Sequence, residues 1–97
     1  MFARLFLFSN ILQAFKYRDR VTIMSDILKT VKKSREGRRK TQIMQSANLN
    51  YIQTKKYLNY MYNCGFLMIT QRETYIITEK GSRFLQLIEM QKIKNLR

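Results

Sequence analysis

The sequence predicts a mainly α-helical domain that carries one small β-hairpin. Three observations lead there. Apolar residues recur at three- and four-residue steps over most of the chain, switch to a two-residue step around residues 66–78, and then return to the helical step. The chain has no proline and only three glycines, so few positions force an interruption. With 97 residues, 45% of them hydrophobic, it is long enough to bury one core and too short for a catalytic unit plus a regulatory one.

At about 100° per residue, Leu5, Leu7, Phe8, Ile11, Leu12 and Phe15 share one broad side of a helix, opposite Ser9, Gln13 and Lys16. An N-terminal amphipathic helix over residues 1–18 is expected, as a dimerisation or packing element ahead of a domain at 19–97. Its longest apolar run is Leu5 to Phe8, far short of the ~18 to 20 residues that span a bilayer, and no Ala-x-Ala cleavage site follows. Neither a transmembrane helix nor a signal peptide is expected.

Val21, Met24, Ile27, Leu28 and Val31 then set a helix from about Asp19 to Lys33. The aperiodic stretch from Ser34 to Arg39, broken by Gly37, reads as a connector. A short strand at Arg39 to Thr41 is expected next, with Thr41 capping a brief helix, Gln42 to Ala47, whose Ile43 and Ala47 share a face. Asn48-Leu49-Asn50 turns the chain. Asn50 followed three positions later by Gln53 is a capping box, so a helix starts at Tyr51, runs to Asn63 or Cys64 and stops at Gly65. Phe66 to Thr70 and Thr74 to Thr78, rich in β-branched and aromatic residues, flank Gln71-Arg72-Glu73 as a hairpin. Thr78 caps a last helix that runs to about Asn95 with Glu79 in its first turn. Gly81 costs that turn helix propensity, which points to a close approach to the hairpin.

Composition narrows the chemistry. Nineteen Lys and Arg against six Asp and Glu leave a formal charge of +13, which repels itself unless a polyanion is near. With no histidine and one cysteine, the chain lacks the parts for a Ser-His-Asp triad, a Cys-His dyad, a histidine-bearing zinc site or an intrachain disulfide. The six acids stand singly and the glycines are too dispersed for a phosphate-cradling loop. The expectation is a protein that is not an enzyme, with no cofactor, no metal site and no small-molecule substrate. Cys64 is expected as a small buried hydrophobe.

Helix, short strand, helix, turn, helix, hairpin, helix is the winged helix-turn-helix order, here with an extra N-terminal helix and a C-terminal helix. Asp26-Ile27-Leu28, Lys40-Thr41-Gln42-Ile43-Met44, Ala47-Asn48-Leu49-Asn50-Tyr51, Tyr57-Leu58, Gly65-Phe66-Leu67 and Tyr75-Ile76-Ile77-Thr78-Glu79-Lys80-Gly81 with Phe84-Leu85 are the segments that carry a family likeness. Over residues 19–90 the chain resembles the small basic winged-helix DNA-binding proteins of crenarchaea and their viruses. That resemblance implies double-stranded DNA bound by a dimer, in a transcription regulator or a chromatin-associated protein, often paired through a long C-terminal coiled coil. The last helix here is short, and the apolar segment before Asp19 is extra.

On the expected recognition helix, about 51–63, Tyr51, Thr54, Leu58, Met61 and Tyr62 fall on a core side and Ile52, Gln53, Lys56, Asn59, Tyr60 and Asn63 on the other. Gln53 and Lys56 lead the expected base contacts in the major groove, followed by Asn59 and Tyr60. Seven basic residues lie between Lys29 and Lys40, and of these Arg38, Arg39 and Lys40 are expected to clamp phosphates. Thr41, Gln42 and Tyr51 add neutral hydrogen bonds, and Lys55 adds phosphate attraction. Arg72, near the tip of the wing at about 66–78, is placed for the minor groove. Phe84, Leu85 and Ile88 should dock on the domain, leaving Leu87, Met90 and Ile93 to join Leu5, Phe8, Leu12 and Phe15 in a homodimer interface. The expected protein is cytoplasmic and nucleoid-associated. RNA or single-strand binding, and a membrane-surface or protein-interaction role for the N-terminal apolar helix, are the competing classes.

Overall fold

The computed structural model describes residues 19–95, and side chains up to Gln91. The amphipathic segment expected over residues 1–18, with Leu5, Phe8, Leu12 and Phe15, lies outside the described residues, as does the side chain of Ile93. Four helices and one two-stranded antiparallel sheet follow in the order α1 (Arg20–Lys32), α2 (Lys40–Ser46), α3 (Tyr51–Asn63), β1 (Leu67–Ile69), β2 (Tyr75–Ile77) and α4 (Glu79–Asn95).

The carboxylate of Asp19 starts α1 by accepting from the Thr22 N–H at 2.8 Å, which satisfies one of the unpaired donors of a first turn. Ile23, Met24, Ile27, Leu28 and Val31 then bury one face, and Ile27, Leu28 and Val31 are wholly inaccessible. Each such side chain contributes about 1.5–3 kcal/mol by leaving water. This face meets α2, β2 and α4, so α1 is the element around which the domain is assembled. Val21, expected on the same stripe, stays exposed at the helix entrance.

The second helix begins earlier than the sequence predicts. Thr41 is not its cap: it lies inside the first turn, while the Gln42 amide oxygen reaches back to accept from the Arg39 N–H at 2.9 Å. The strand expected at Arg39 to Thr41 is likewise absent, because Lys40 is already helical. Its place is taken by a single bridge one residue upstream, in which Arg38 N–H donates to the Tyr75 carbonyl at 3.0 Å and Tyr75 N–H donates back at 2.8 Å. Asn48, at φ +56°, closes α2: its N–H reaches the Gln45 carbonyl and the next N–H, of Leu49, reaches that of Met44. This is the paired carbonyl capping of a Schellman turn, with asparagine accepting the left-handed position.

Helix α3 follows its expectation closely. Asn50 Oδ1 accepts from the Gln53 N–H at 2.7 Å, and Gln53 Oε1 accepts from the Asn50 N–H at 3.2 Å. Thr54, Leu58 and Met61 bury its inner face. Tyr51 and Tyr62, expected in the core, are 56% and 49% exposed; they stand on the edge of the buried arc, where a bulky ring reaches solvent. Gly65 ends the helix, with its N–H on Tyr62 and that of Phe66 on Met61.

The hairpin pairs Leu67 with Ile77, Met68 with Ile76 and Ile69 with Tyr75. Its turn has the three-residue loop Gln71-Arg72-Glu73, closed by the Thr70 N–H on the Thr74 carbonyl at 2.8 Å and the Glu73 N–H on the Thr70 carbonyl at 2.9 Å. Glu73 occupies the left-handed position of this loop at φ +63°, where glycine is the usual residue. Thr78 Oγ1 accepts from the Gly81 N–H at 3.0 Å to cap α4. The expected close approach at Gly81 is present: a Cβ there would collide with the Phe66 carbonyl oxygen and crowd Ile77. Leu85 and Ile88 dock on the core and Phe84 stacks on Phe66 at 4.4 Å, whereas Leu87 and Met90 are 61% and 63% exposed.

Candidate nucleic-acid interface

The N-terminus of α2 and the tip of the hairpin come together. Arg39, Lys40 and Thr41 from the one, and Ile69, Arg72, Glu73 and Tyr75 from the other, line a single open groove. A second depression beside it is lined by Lys33, Glu36, Arg38, Arg39, Gln42, Arg72 and Thr74. The hairpin is held there by its own base, since Thr74 Oγ1 donates to the Glu36 carbonyl at 2.9 Å and Tyr75 bridges Arg38.

Cations dominate this surface. Among the described residues the ion pairs Lys29 with Glu89 and Arg83 with Glu79 lie elsewhere, and Arg39, Lys40 and Arg72 line the groove against one acid, Glu73. Like charges so placed repel one another, and an anion laid along the groove reverses that cost. The Nε of Arg38 is buried without a hydrogen-bond acceptor. Lys40 Nζ sits 5.5 Å from the centre of the Tyr51 ring, which ties the start of α3 to the same edge. Thr41 and Lys55 are exposed. Gln42 is exposed too, with its amide oxygen committed to Arg39.

The residues expected to read bases are less uniform. Lys56 and Tyr60 share a small apolar cavity with Arg20, Met24 and Tyr57, so they lie on the flank of α3 that faces the start of α1. Hydrogen bonding with Cys64 raises the Tyr60 phenol above its ordinary value, and the nearby Arg20 charge pulls it the other way. Cys64 is half-buried rather than a core residue. Gln53 is half-buried with its amide oxygen in the capping box, so only its NH2 group is free to reach a base. Asn59 is exposed. The stripe Ile52, Lys55, Lys56, Asn59 and Asn63, at steps of three and four residues, forms the outermost face of α3, opposite Thr54, Leu58 and Met61. Ile52, at 75% exposed, belongs to that face too, and as an apolar residue it carries none of the charge or hydrogen-bonding signal that singles out its neighbours.

Among the described residues no three metal-ligating side chains gather, and no helix is long and apolar enough to cross a membrane.

Two helices joined by a tight turn, a hairpin docked beside them and a basic groove where the hairpin meets the first of those helices define a winged-helix class of protein. Residues 17–97 match the winged helix-turn-helix family, and the chain belongs to it. The fold is similar to that of Sso10a-2, a DNA-binding protein from Sulfolobus solfataricus, with a TM-score of 0.66 and 33% identity over 81% of this chain and 85% of that one. An uncharacterized protein of Methanocaldococcus jannaschii is 36% identical over 72 residues, 74% of this chain. The chain spans about a third of that relative's length (33%).

Proposed function

We propose that this chain binds duplex DNA as a homodimer, with α3 in the major groove and the hairpin wing near the minor groove. The observation that carries the reading is the convergence of Arg39, Lys40, Thr41 and Arg72 on one groove, with Lys40 also lying over the ring of Tyr51 at the start of α3. Membership of the winged helix-turn-helix family and likeness to a DNA-binding protein support the same partner. Arg38, Arg39, Lys40 and Arg72 supply the charge for phosphates, Thr41, Gln42 and Tyr51 neutral hydrogen bonds, and Lys55 further attraction. Lys56, Asn59 and the free NH2 of Gln53 reach base edges from α3, with Tyr60 at its flank. The role is binding rather than catalysis, in a cytoplasmic, nucleoid-associated protein that regulates transcription or coats DNA. Footprints confined to defined sites under excess competitor assign regulation, and uniform coverage assigns coating.

The direct test is a competition titration at fixed salt among a duplex, its single strand and a structured RNA. The duplex is expected to compete best, by at least tenfold. Tighter binding to the RNA would replace this reading.

For assembly, residues 1–18 act as a dimerisation element attached to the DNA-binding domain of 19–97. Leu87 and Met90 are exposed beside an apolar groove lined by Val21, Phe84, Leu87 and Ile88, and this supports a second copy seated there, joined by Leu5, Phe8, Leu12, Phe15 and Ile93. Two linked half-sites convert modest single contacts into useful affinity. Sedimentation equilibrium should report a dimer of the 11.8 kDa chain, shifted toward monomer by Leu87→Asp with Met90→Asp. A double variant that stays dimeric moves the interface off α4.

A further inference from the structure

We infer that Ile52 reads the C5-methyl group of thymine in the major groove, making A·T content at one position of each half-site a determinant of affinity. The inference rests on the duplex-DNA reading above. Ile52 is the most exposed large apolar side chain of the described residues, at 75%, and it stands in the first turn of α3. The helix does not need it there. Its buried side is supplied by Thr54, Leu58 and Met61, and a β-branched residue is a poorer helix former than the Ala, Glu or Lys that a solvated position ordinarily carries.

Its neighbours say what it faces. Lys55 and Lys56 follow one turn later and Asn59 two turns later on the same outer stripe, so Ile52 is an apolar group set at the leading end of a cationic and amide-bearing ridge. The first turns of a groove-inserted helix approach base edges most closely. Within a major groove the edges are donors and acceptors apart from one apolar group, the thymine methyl, which branched and small aliphatic side chains contact. The alternative reader at this end of the helix, Gln53, has its side chain folded back so that the amide oxygen accepts from the Asn50 N–H at 3.2 Å, and extending it to pair bidentately with adenine would give up that capping bond. Discrimination in the first turn therefore falls to Ile52.

Each methyl buried against Ile52 should be worth about fourfold in affinity, the equivalent of ~0.8 kcal/mol for a group of that size. An alternating dA-dT duplex presents a methyl at every base pair, so the register of binding need not be known. The experiment titrates wild type and Ile52→Ala against that duplex and against its dA-dU counterpart, which lacks only the methyls. Wild type is expected to bind the dA-dU duplex about fourfold more weakly per bound chain, and Ile52→Ala, which keeps only the Cβ of that contact, to discriminate between the two duplexes clearly less. Any effect of the methyls on DNA stiffness acts on both proteins and cancels in the comparison. Equal responses of the two proteins to methyl removal would overturn the inference while leaving duplex binding intact. Failure of wild type to bind either duplex would overturn the reading beneath it. Alanine at so exposed a helical position leaves the fold in place, and matching thermal melts of the two proteins check this.

Discussion

Replacing Gly81 with alanine separates two opposite expectations. Judged by helix propensity alone, the change stabilises this first-turn helical position by up to about 1 kcal/mol, the full value for an interior site. The packing reverses the sign. A Cβ at residue 81 would run into the carbonyl oxygen of Phe66, and that oxygen is backbone, already accepting the Thr78 N–H at 3.0 Å where the hairpin joins α4. Neither partner can rotate away. Relieving the collision means separating α4 from the start of the hairpin, which also disturbs the stack of Phe66 on Phe84 at 4.4 Å. Overpacking of this kind costs about 1–3 kcal/mol, and straining one backbone hydrogen bond costs about 1 kcal/mol more. After the propensity gain, Gly81→Ala should destabilise the domain by about 1–3 kcal/mol. Urea unfolding followed by circular dichroism measures it, with an unchanged m-value required for the comparison. In a domain of this size the melting temperature should fall by about 4–8 °C for each kcal/mol. A variant as stable as wild type, or more stable, would refute the close approach of α4 and hairpin.

Glu73→Gly should have the contrary effect, stabilising by about 0.5–1 kcal/mol, because it relieves a left-handed residue at φ +63° at the expense of some chain entropy. The same change removes the acid beside Arg72 and should tighten duplex binding; urea melts and a binding titration read the two effects separately. Burial holds the Tyr75 phenol above its ordinary value of 10.0, so the folded state keeps a proton that the unfolded state loses first. The stability this confers is present below about pH 10 and is lost as pH rises through the folded value. Urea midpoints across that window should fall more steeply for wild type than for Tyr75→Phe, and parallel curves would contradict the burial.

The features legible in the sequence are those whose cause is local. The Asn50 and Gln53 capping box, the stop at Gly65, the Thr78 cap and the hairpin loop at Gln71-Arg72-Glu73 all follow from residues close together in the chain, although the paired strands, Leu67–Ile69 and Tyr75–Ile77, are shorter than the segments that predict them. What the sequence hid was set either from a distance or by a local competition between two possible partners. The bridge at Arg38 exists because Tyr75 arrives beside it, and nothing in the residues around Arg38 announces a partner so far along the chain. The start of α2 was misplaced because two caps compete: threonine is the commoner cap, yet the Gln42 side chain satisfies the Arg39 N–H from inside the helix. Glu73 in a left-handed conformation has no sequence signature, since the hydrogen bonds around Thr70 and Thr74 impose it. For the candidate site, the basic connector and Arg72 were legible as charge, whereas their meeting in one groove was not. Periodicity separated the two sides of α3 but did not show that Lys56 and Tyr60 border α1, or that Gln53 spends its oxygen on the cap.

A phosphate clamp in the groove between α2 and the wing makes duplex binding depend steeply on salt. Wild type and a variant with Arg39, Lys40 and Arg72 all changed to alanine are titrated on one duplex at several salt concentrations. Each neutralised phosphate contributes about 0.9 to the log-log slope, so the variant's slope should be flatter by about 2.7 per bound chain. A slope unchanged by the triple substitution would contradict the account and place the phosphate contacts elsewhere on the protein.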